Sequence, residues 1–297
     1  MSDSEAVVWR DGELIPFADA TVHVLSHAAH RGTEVFDVLR VVATGSGPVA
    51  LGLREHVARF DRSMQLMGMT SPYSVAAIEE AVAKTVAANP GADVVKLVAA
   101  WTEIALSTEP VSLVPSVVVT ARPGIPTDIL QPVARVASSE MPKMPAEILP
   151  PSLKVAAAYT PGVRRQLDLA DDVDDVLFRT LDGRLAEATT QSMLVVAGDR
   201  LLAPSLDRVL DGITRRLLTE LAPDVGLAVE VRDVHWDEVQ GADELILTST
   251  NNVIRPVSAL DDVSYAAPGP MATALAGQVE ALFAGEHALS GRWLTPL

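Results

Sequence analysis

Cysteine is absent from all 297 residues, which excludes disulfides, thiolate nucleophiles, iron–sulfur clusters and Cys-ligated zinc together. A reducing cytoplasm is the compartment this fits. Lysine is nearly as scarce. Only Lys84, Lys96, Lys143 and Lys154 occur, so arginine supplies the rest of the 23 basic residues. Positive charge is short overall, with 39 acidic residues and a net charge of −16. No basic run is longer than the pairs Arg164–Arg165 and Arg215–Arg216. Nucleic acid is therefore excluded as a partner, because a polyanion needs a basic stripe that releases counterions, and an anionic membrane surface is disfavoured on the same ground. No apolar stretch approaches the roughly 18 residues of a membrane span. The opening Met1-Ser2-Asp3-Ser4-Glu5 is acidic and polar, with neither a cationic n-region nor an apolar h-region. A soluble, unexported, cytoplasmic protein is expected. There is no G-x-G-x-x-G run, no phosphate loop with a following Lys and no H-E-x-x-H.

What is present is ample apolar material, 48% of the chain, and a length that suits one large domain or two of ordinary size, of which two are expected. Asp11-Gly12 between Val7–Trp9 and Glu13–Ile15 predicts a hairpin. A second hairpin is predicted from Glu34–Val42 and Pro48–Leu51. Val57, Phe60, Met64 and Met67 recur at helical spacing over Leu53–Met67, and Ser74 reads as the N-cap of a helix reaching Ala88. Strands at Asp93–Trp101 and Ser116–Thr120 complete a small, hairpin-rich lobe. Pro and Gly then punctuate a linker. The expected domains are residues 1–121 and 131–297, joined by 122–130. In the second, larger lobe strands are predicted at Val133–Ala137, Leu153–Ala157, Asp174–Arg179, Met193–Val196, Leu227–Val231, Glu244–Thr248 and Ile254–Ser258. Helices are predicted near Pro161–Ala170, Gly212–Leu221 and Met271–Ala284. The class is mixed α/β (α+β), not a doubly wound nucleotide fold.

The four lysines define the search for amine chemistry, which needs a confined setting on a rigid element. Lys84 stands at helical spacing from Glu80 and reads as a solvated ion pair. Lys143 lies in a Pro-flanked loop, a poor scaffold. Lys96 sits on an apolar strand. Lys154 is best placed, because Val155-Ala156-Ala157-Ala158 leaves room for a ring and Tyr159 brings a phenol; a solvated strand-end lysine is the alternative. Asp211-Gly212-Ile213-Thr214 opens a helix and offers a phosphate cradle or an ordinary N-cap. Thr248-Ser249-Thr250-Asn251-Asn252 is an anion site or a polar turn. Glu187 has no evident partner in sequence and is either a solvated carboxylate or one awaiting a cation. His23, His27 and His30 cluster without a carboxylate at a ligand interval, so they read as packing or turn histidines, with no metal site.

The order of these parts resembles the class IV pyridoxal-phosphate aminotransferases, the family of branched-chain and D-amino-acid aminotransferases and aminodeoxychorismate lyase. The resemblance is carried by His27-Ala28-Ala29-His30-Arg31-Gly32 with Val35-Phe36-Asp37, Arg54-Glu55-His56-Val57-Ala58-Arg59-Phe60, Lys154 with Tyr159, Leu185-Ala186-Glu187, Gly212-Ile213-Thr214-Arg215, Ala242-Asp243-Glu244 and Thr248-Ser249-Thr250. It implies a two-domain fold-type IV enzyme that uses pyridoxal 5′-phosphate. It implies that Lys154 forms the Schiff base and shuttles the substrate proton. By the same resemblance, Arg59, Ile213, Thr214 and Thr250 hold the phosphate, Glu187 pairs with the ring nitrogen, and Tyr159 meets the ring hydroxyl.

By the same resemblance, Phe36, Arg31, Lys96 and Asn251 are expected at positions that face the substrate. Arg31, Val94-Val95-Lys96 and Asn251-Asn252 stand where branched-chain enzymes usually have Tyr, Tyr-x-Arg and Ala-Ala, so a more polar or anionic substrate is expected; alternatively, Arg31 pairs with Glu34 or Asp37. The expected reaction moves an amino group from an amino acid or amine to a 2-oxo acid, 2-oxoglutarate by family habit. The alternatives are an aminodeoxychorismate-lyase-like reaction or D-amino-acid or (R)-amine transamination. A homodimer is implied.

Overall fold

The computed structural model describes residues 6–297, so the acidic opening pentapeptide lies outside the described residues. The chain divides into two compact units. The first takes the described residues through Ile125, together with Leu153–Ala157 and Leu289–Leu297. Its strands are β1 (Val7–Arg10), β2 (Glu13–Pro16), β3 (Val35–Thr44), β4 (Gly47–Leu51), β5 (Val94–Ala100) and β6 (Ser116–Arg122), with helices α1 (His27–Arg31), α2 (Leu53–Met67) and α3 (Val75–Ala88). Among the described residues these strands and Leu294–Pro296 form one sheet in the order Leu294–Pro296, β4, β3, β5, β6, β1, β2. Every neighbouring pair is antiparallel.

The first hairpin turns at Asp11 and Gly12, both with positive φ (49° and 104°). That geometry matches the strand twist and suits Asp-Gly. Strands β5 and β6 alternate buried and half-buried positions, the period-2 pattern of a sheet with one covered face. The covered face carries Val35, Leu39, Val95, Leu97, Val117 and Val119, all fully buried, as are Val57, Phe60 and Met64 of α2 and Ile78 and Val82 of α3. Burying each such side chain contributes about 1.5–3 kcal/mol. As predicted, Ser74 Oγ caps α3 by accepting from Ala77 N at 3.2 Å.

The second unit comprises Pro126–Ser152 and Ala158–Ala288. Its strands are β7 (Ala134–Ser138), β8 (Asp175–Arg179), β9 (Leu185–Ala188), β10 (Ser192–Ala197), β11 (Arg200–Ala203), β12 (Ala228–Val231), β13 (Glu244–Thr248), β14 (Arg255–Leu260) and β15 (Val263–Ser264). Its helices are α4 (Thr160–Gln166), α5 (Ile213–Leu221), α6 (Trp236–Gln240) and α7 (Pro270–Phe283). The sheet runs β12, β11, β10, β13, β14, β7, β8, β9, with β15 alongside β14. The pairs β11–β12, β14–β7 and β7–β8 are parallel. Leu177, Leu185, Met193, Val195, Leu245 and Leu247 fill its core. Buried Glu244 caps α7 by accepting from Met271 N and Ala272 N at 2.8 and 2.9 Å.

Leu153–Ala157 is not the strand predicted from its composition. It makes one bridge, Val35 to Val155, and then tightens into a 3₁₀ turn over Ala156–Tyr159. Three consecutive alanines have low strand propensity and little side chain to pack on a pleated surface. The helix predicted to Ala170 stops at Gln166. The short elements α1, α6, β9 and β11 lie beyond the sequence pattern, because four or five residues carry too little periodicity to register. Among the described residues no helix is long and apolar enough to cross a membrane.

Candidate active site

In the first unit, the segment at Lys154 is fixed through its backbone. Lys154 N donates to Ser63 Oγ at 3.1 Å. Its carbonyl accepts from Phe36 N at 3.1 Å, and Ala156 N donates to Glu34 O at 2.8 Å. Lys154 is thus tied to both α2 and β3. Its Nζ lies 4.8 Å from the centroid of the Phe36 ring, and Lys96 Nζ lies at the same distance. Cations over an aromatic face are held by the ring quadrupole. Lys96 also pairs with Glu34 at 3.0 Å. Lys84 pairs with Glu80 at 2.8 Å on the exposed side of α3, as predicted.

On the helix-covered face of β3, Asp37 is completely buried. It accepts from Arg59 Nε at 2.7 Å, Arg59 Nη2 at 2.8 Å, His56 Nδ1 at 2.7 Å and Val38 N at 2.8 Å. Burial by itself would raise the Asp37 pKa, but Arg59 and His56 outweigh it and hold the carboxyl well below its usual range. Burial pushes His56 the other way. Its pKa is lowered despite Asp37, with Arg59 and Lys154 adding to the effect. An ionised Asp37 only accepts, so the Nδ1 that faces it carries a proton.

Arg31 closes α1 and turns away from the acids proposed for it. Its guanidinium donates to Ser107 O at 2.8 and 3.2 Å and to Leu106 O at 3.4 Å. Neither Glu34 nor Asp37 is its partner, since Lys96 and Arg59 occupy those carboxylates. His27 is buried and uses both ring nitrogens, on Thr33 Oγ1 at 3.0 Å and Thr108 O at 2.9 Å.

In the second unit, Glu187 sits on β9, buried, with its carboxylate on Lys143 and accepting from Leu210 N at 3.3 Å. The partner that the sequence did not disclose is therefore Lys143, 44 positions earlier in the Pro-flanked loop that reads as a poor scaffold. Beside this pair, Lys143, Pro161, Gly162, Ala188 and Thr189 line a pocket, and Thr189 Oγ1 is buried without a hydrogen-bond partner. Tyr159 is half-buried immediately before α4.

Ile213 and Thr214 form the first turn of α5, whose N-cap is Gly212 with no side-chain cap. Asp211 is drawn off to Arg216, so the ordinary Asp N-cap is not what forms. A Cβ on Gly212 would meet Ser192 Oγ at 2.8 Å and Arg215 Cβ at 3.3 Å. Glycine there avoids that crowding at a helix start, the kind of position whose first-turn N–H groups can receive a phosphate. After β13 the chain turns through Ser249 N on Asn252 O at 2.8 Å, carrying Thr250 half-buried and Asn251 exposed. Asn252 Nδ2 donates to Gln191 Oε1 at 3.2 Å, and Gln191 Nε2 donates to Asp175 Oδ2 at 2.9 Å.

The pairing of Asp37 with Arg59 and His56, and that of Lys143 with Glu187, are contacts that the sequence alone did not disclose. Asp37 leaves one trace, a lone acid inside the apolar run Val35–Val42. Such a residue is tolerated in a covered strand only with cationic partners.

Solved structures share this fold over nearly the whole chain. Branched-chain aminotransferase from Thermoproteus uzoniensis, crystallised with norvaline, superposes with a TM-score of 0.91 at 26% identity, covering 98% of this chain and 99% of that one. The T.th. branched-chain amino acid aminotransferase complexed with N-(5′-phosphopyridoxyl)-L-glutamate gives 0.90 at 28% identity, covering 98% of each chain. Among curated sequences, a branched-chain-amino-acid aminotransferase of Pseudomonas aeruginosa is 27% identical over 320 residues, covering 99% of this chain and 98% of its own length. The architecture is thus that of the two-sheet, fold-type IV pyridoxal-phosphate enzymes. Residues 34–260 match the amino-transferase class IV family, and the chain belongs to it as a pyridoxal-phosphate-dependent transaminase.

The residues present fit that cofactor. A helix start with glycine at its N-cap and no side-chain cap suits a phosphate, a buried carboxylate held by Lys143 suits a cationic ring nitrogen, and an orphaned Thr189 hydroxyl lies in a pocket beside it.

Proposed function

We propose that this protein transfers an amino group from an amino acid or amine to a 2-oxo acid, with Lys154 as the lysine that bears the cofactor. Bound there, pyridoxal phosphate supplies an aldehyde for the amine and a ring that takes up the electrons released at the substrate Cα. The observation that carries the assignment is the anchoring of Lys154. Among four lysines it alone combines backbone bonds to a helix residue and a strand residue with an ammonium held against an aromatic ring. That fixes the amine while leaving its side chain half-buried, the setting a nucleophilic lysine needs.

Lys154 Nζ takes the proton from the substrate Cα. Arg59, Ile213, Thr214 and Thr250 would bind the phosphate, the last three through backbone N–H or hydroxyl groups. Glu187 would pair with the ring nitrogen and keep it protonated, and Tyr159 would hydrogen-bond the ring hydroxyl. Phe36, Arg31, Lys96 and Asn251 border the substrate and make its surroundings more polar than in branched-chain enzymes. The working form is a cytoplasmic homodimer, and its partners are the amino donor and the oxo-acid acceptor.

A panel of amino donors, including both enantiomers of several amino acids and an (R)-amine, tests this by the conversion of cofactor absorbance to that of pyridoxamine phosphate. A transaminase converts at least one donor and returns the spectrum on adding a 2-oxo acid. A lyase on the same scaffold would release pyruvate without accumulating the pyridoxamine form, and that result would replace the present reading.

A further inference from the structure

Glu34 stands at the start of β3, and its carboxylate meets Lys96 Nζ at 3.0 Å. Lys96 lies across the sheet, since Val38 pairs with Lys96 and Phe36 with Val98, so Phe36 and Lys96 are diagonal neighbours on one face. Lys96 Nζ and Lys154 Nζ lie equally far from the Phe36 centroid. The two amines are therefore separated by at most twice that distance, so Lys96 is positioned to meet the side chain of a substrate held at Lys154. A lone ammonium at that point would attract a distal carboxylate. Glu34 supplies a carboxylate already, and any anionic side chain must compete with it.

We infer that Glu34 is a specificity-determining residue: by pairing with Lys96 it disfavours substrates with a second carboxylate and leaves neutral, polar side chains favoured. This rests on the proposed role of Lys154. It also works against the dicarboxylic acceptor that family resemblance implies. Selectivity here comes from a repulsive element rather than from a new attraction. The pair is partly exposed, with side chains 43% and 32% accessible, so its effect is moderate.

The test uses glutarate and valerate as unreactive probes, titrated calorimetrically into wild type, Glu34→Gln, Glu34→Ser and the double variant Glu34→Gln/Lys96→Met. Uptake of pyridoxal phosphate by the wild type is measured first and reports on the proposed function alone. The glutarate-to-valerate affinity ratio, read on each protein as purified, reports on Glu34 alone. The ratio rises about fivefold in Glu34→Gln, the scale of one partly exposed ion pair, and the rise is carried by glutarate. Glu34→Ser repeats it, and removing Lys96 as well cancels it. A ratio within twofold of wild type in both single variants, or a rise that survives loss of Lys96, overturns the inference.

Discussion

Asp37 grips Arg59 through both carboxylate oxygens, at 2.7 Å to Nε and 2.8 Å to Nη2, while the same carboxylate accepts from His56 at 2.7 Å. All three side chains are buried. The grip uses the Nε and Nη2 edge of the guanidinium and fixes its plane, which is how an arginine assigned to phosphate binding is kept in register.

Removing one member of a buried pair leaves the other uncompensated, which costs about 3–5 kcal/mol. Asp37→Ala is expected to lose that much in denaturant unfolding at neutral pH. The pH dependence follows from the direction of the shift. A carboxyl held below its unfolded value contributes fully above the ordinary carboxylate range, and that contribution disappears as pH falls through the folded value. The stability gap between wild type and Asp37→Ala should therefore narrow on acidification below about pH 4. A gap that stays constant down to the lowest pH at which both proteins fold would mean that the pair contributes no charge-dependent stability.

Gly212→Ala would place a Cβ 2.8 Å from Ser192 Oγ at the start of α5. Ser192 or the first turn of α5 must shift, disturbing the N–H groups assigned to phosphate. Comparing pyridoxal phosphate with pyridoxal isolates that group. The variant should lose about tenfold or more in affinity for the phosphate form, the scale of one charge-assisted hydrogen bond, with little change for pyridoxal. Equal losses for both would place the damage elsewhere.

Glu187→Gln removes the charge assigned to the ring nitrogen while keeping the shape. Loss of an electrostatic contact aimed at developing charge costs on the order of 10²-fold in turnover, and that is the fall expected in the single-turnover rate with an excess of donor. Lys143→Met should cost less, because Leu210 N still holds the carboxylate. If Glu187→Gln turned over as fast as wild type, the residue would be only a structural partner of Lys143.

Much of this was legible in the sequence, and the rest was not for identifiable reasons. The helix Leu53–Met67 announced itself by Val57, Phe60 and Met64 at helical spacing, and all three are buried. The Asp11-Gly12 turn and the Ser74 cap follow from local chemistry and appear as read. Lys154 could be singled out because lysine is rare. Long-range pairing is what a single sequence withholds. Lys143 reaches Glu187 across 44 positions, Asp37 reaches Arg59 across 22 and Glu34 reaches Lys96 across 62. Nothing local in the Pro-flanked loop at Lys143 marks it as a partner. Likewise Val155 reads as part of a strand, whereas it makes one bridge to Val35 and the alanines beyond it coil.

The measurement that bears most directly on the whole account is reduction of the protein with borohydride after loading with pyridoxal phosphate, followed by peptide mapping of wild type and Lys154→Ala, with amino transfer assayed on the same samples. The phosphopyridoxyl group is expected on Lys154 in the wild type, with neither labelling at that position nor amino transfer in the variant. Label on Lys96 or Lys143, or amino transfer that survives in Lys154→Ala, would contradict it.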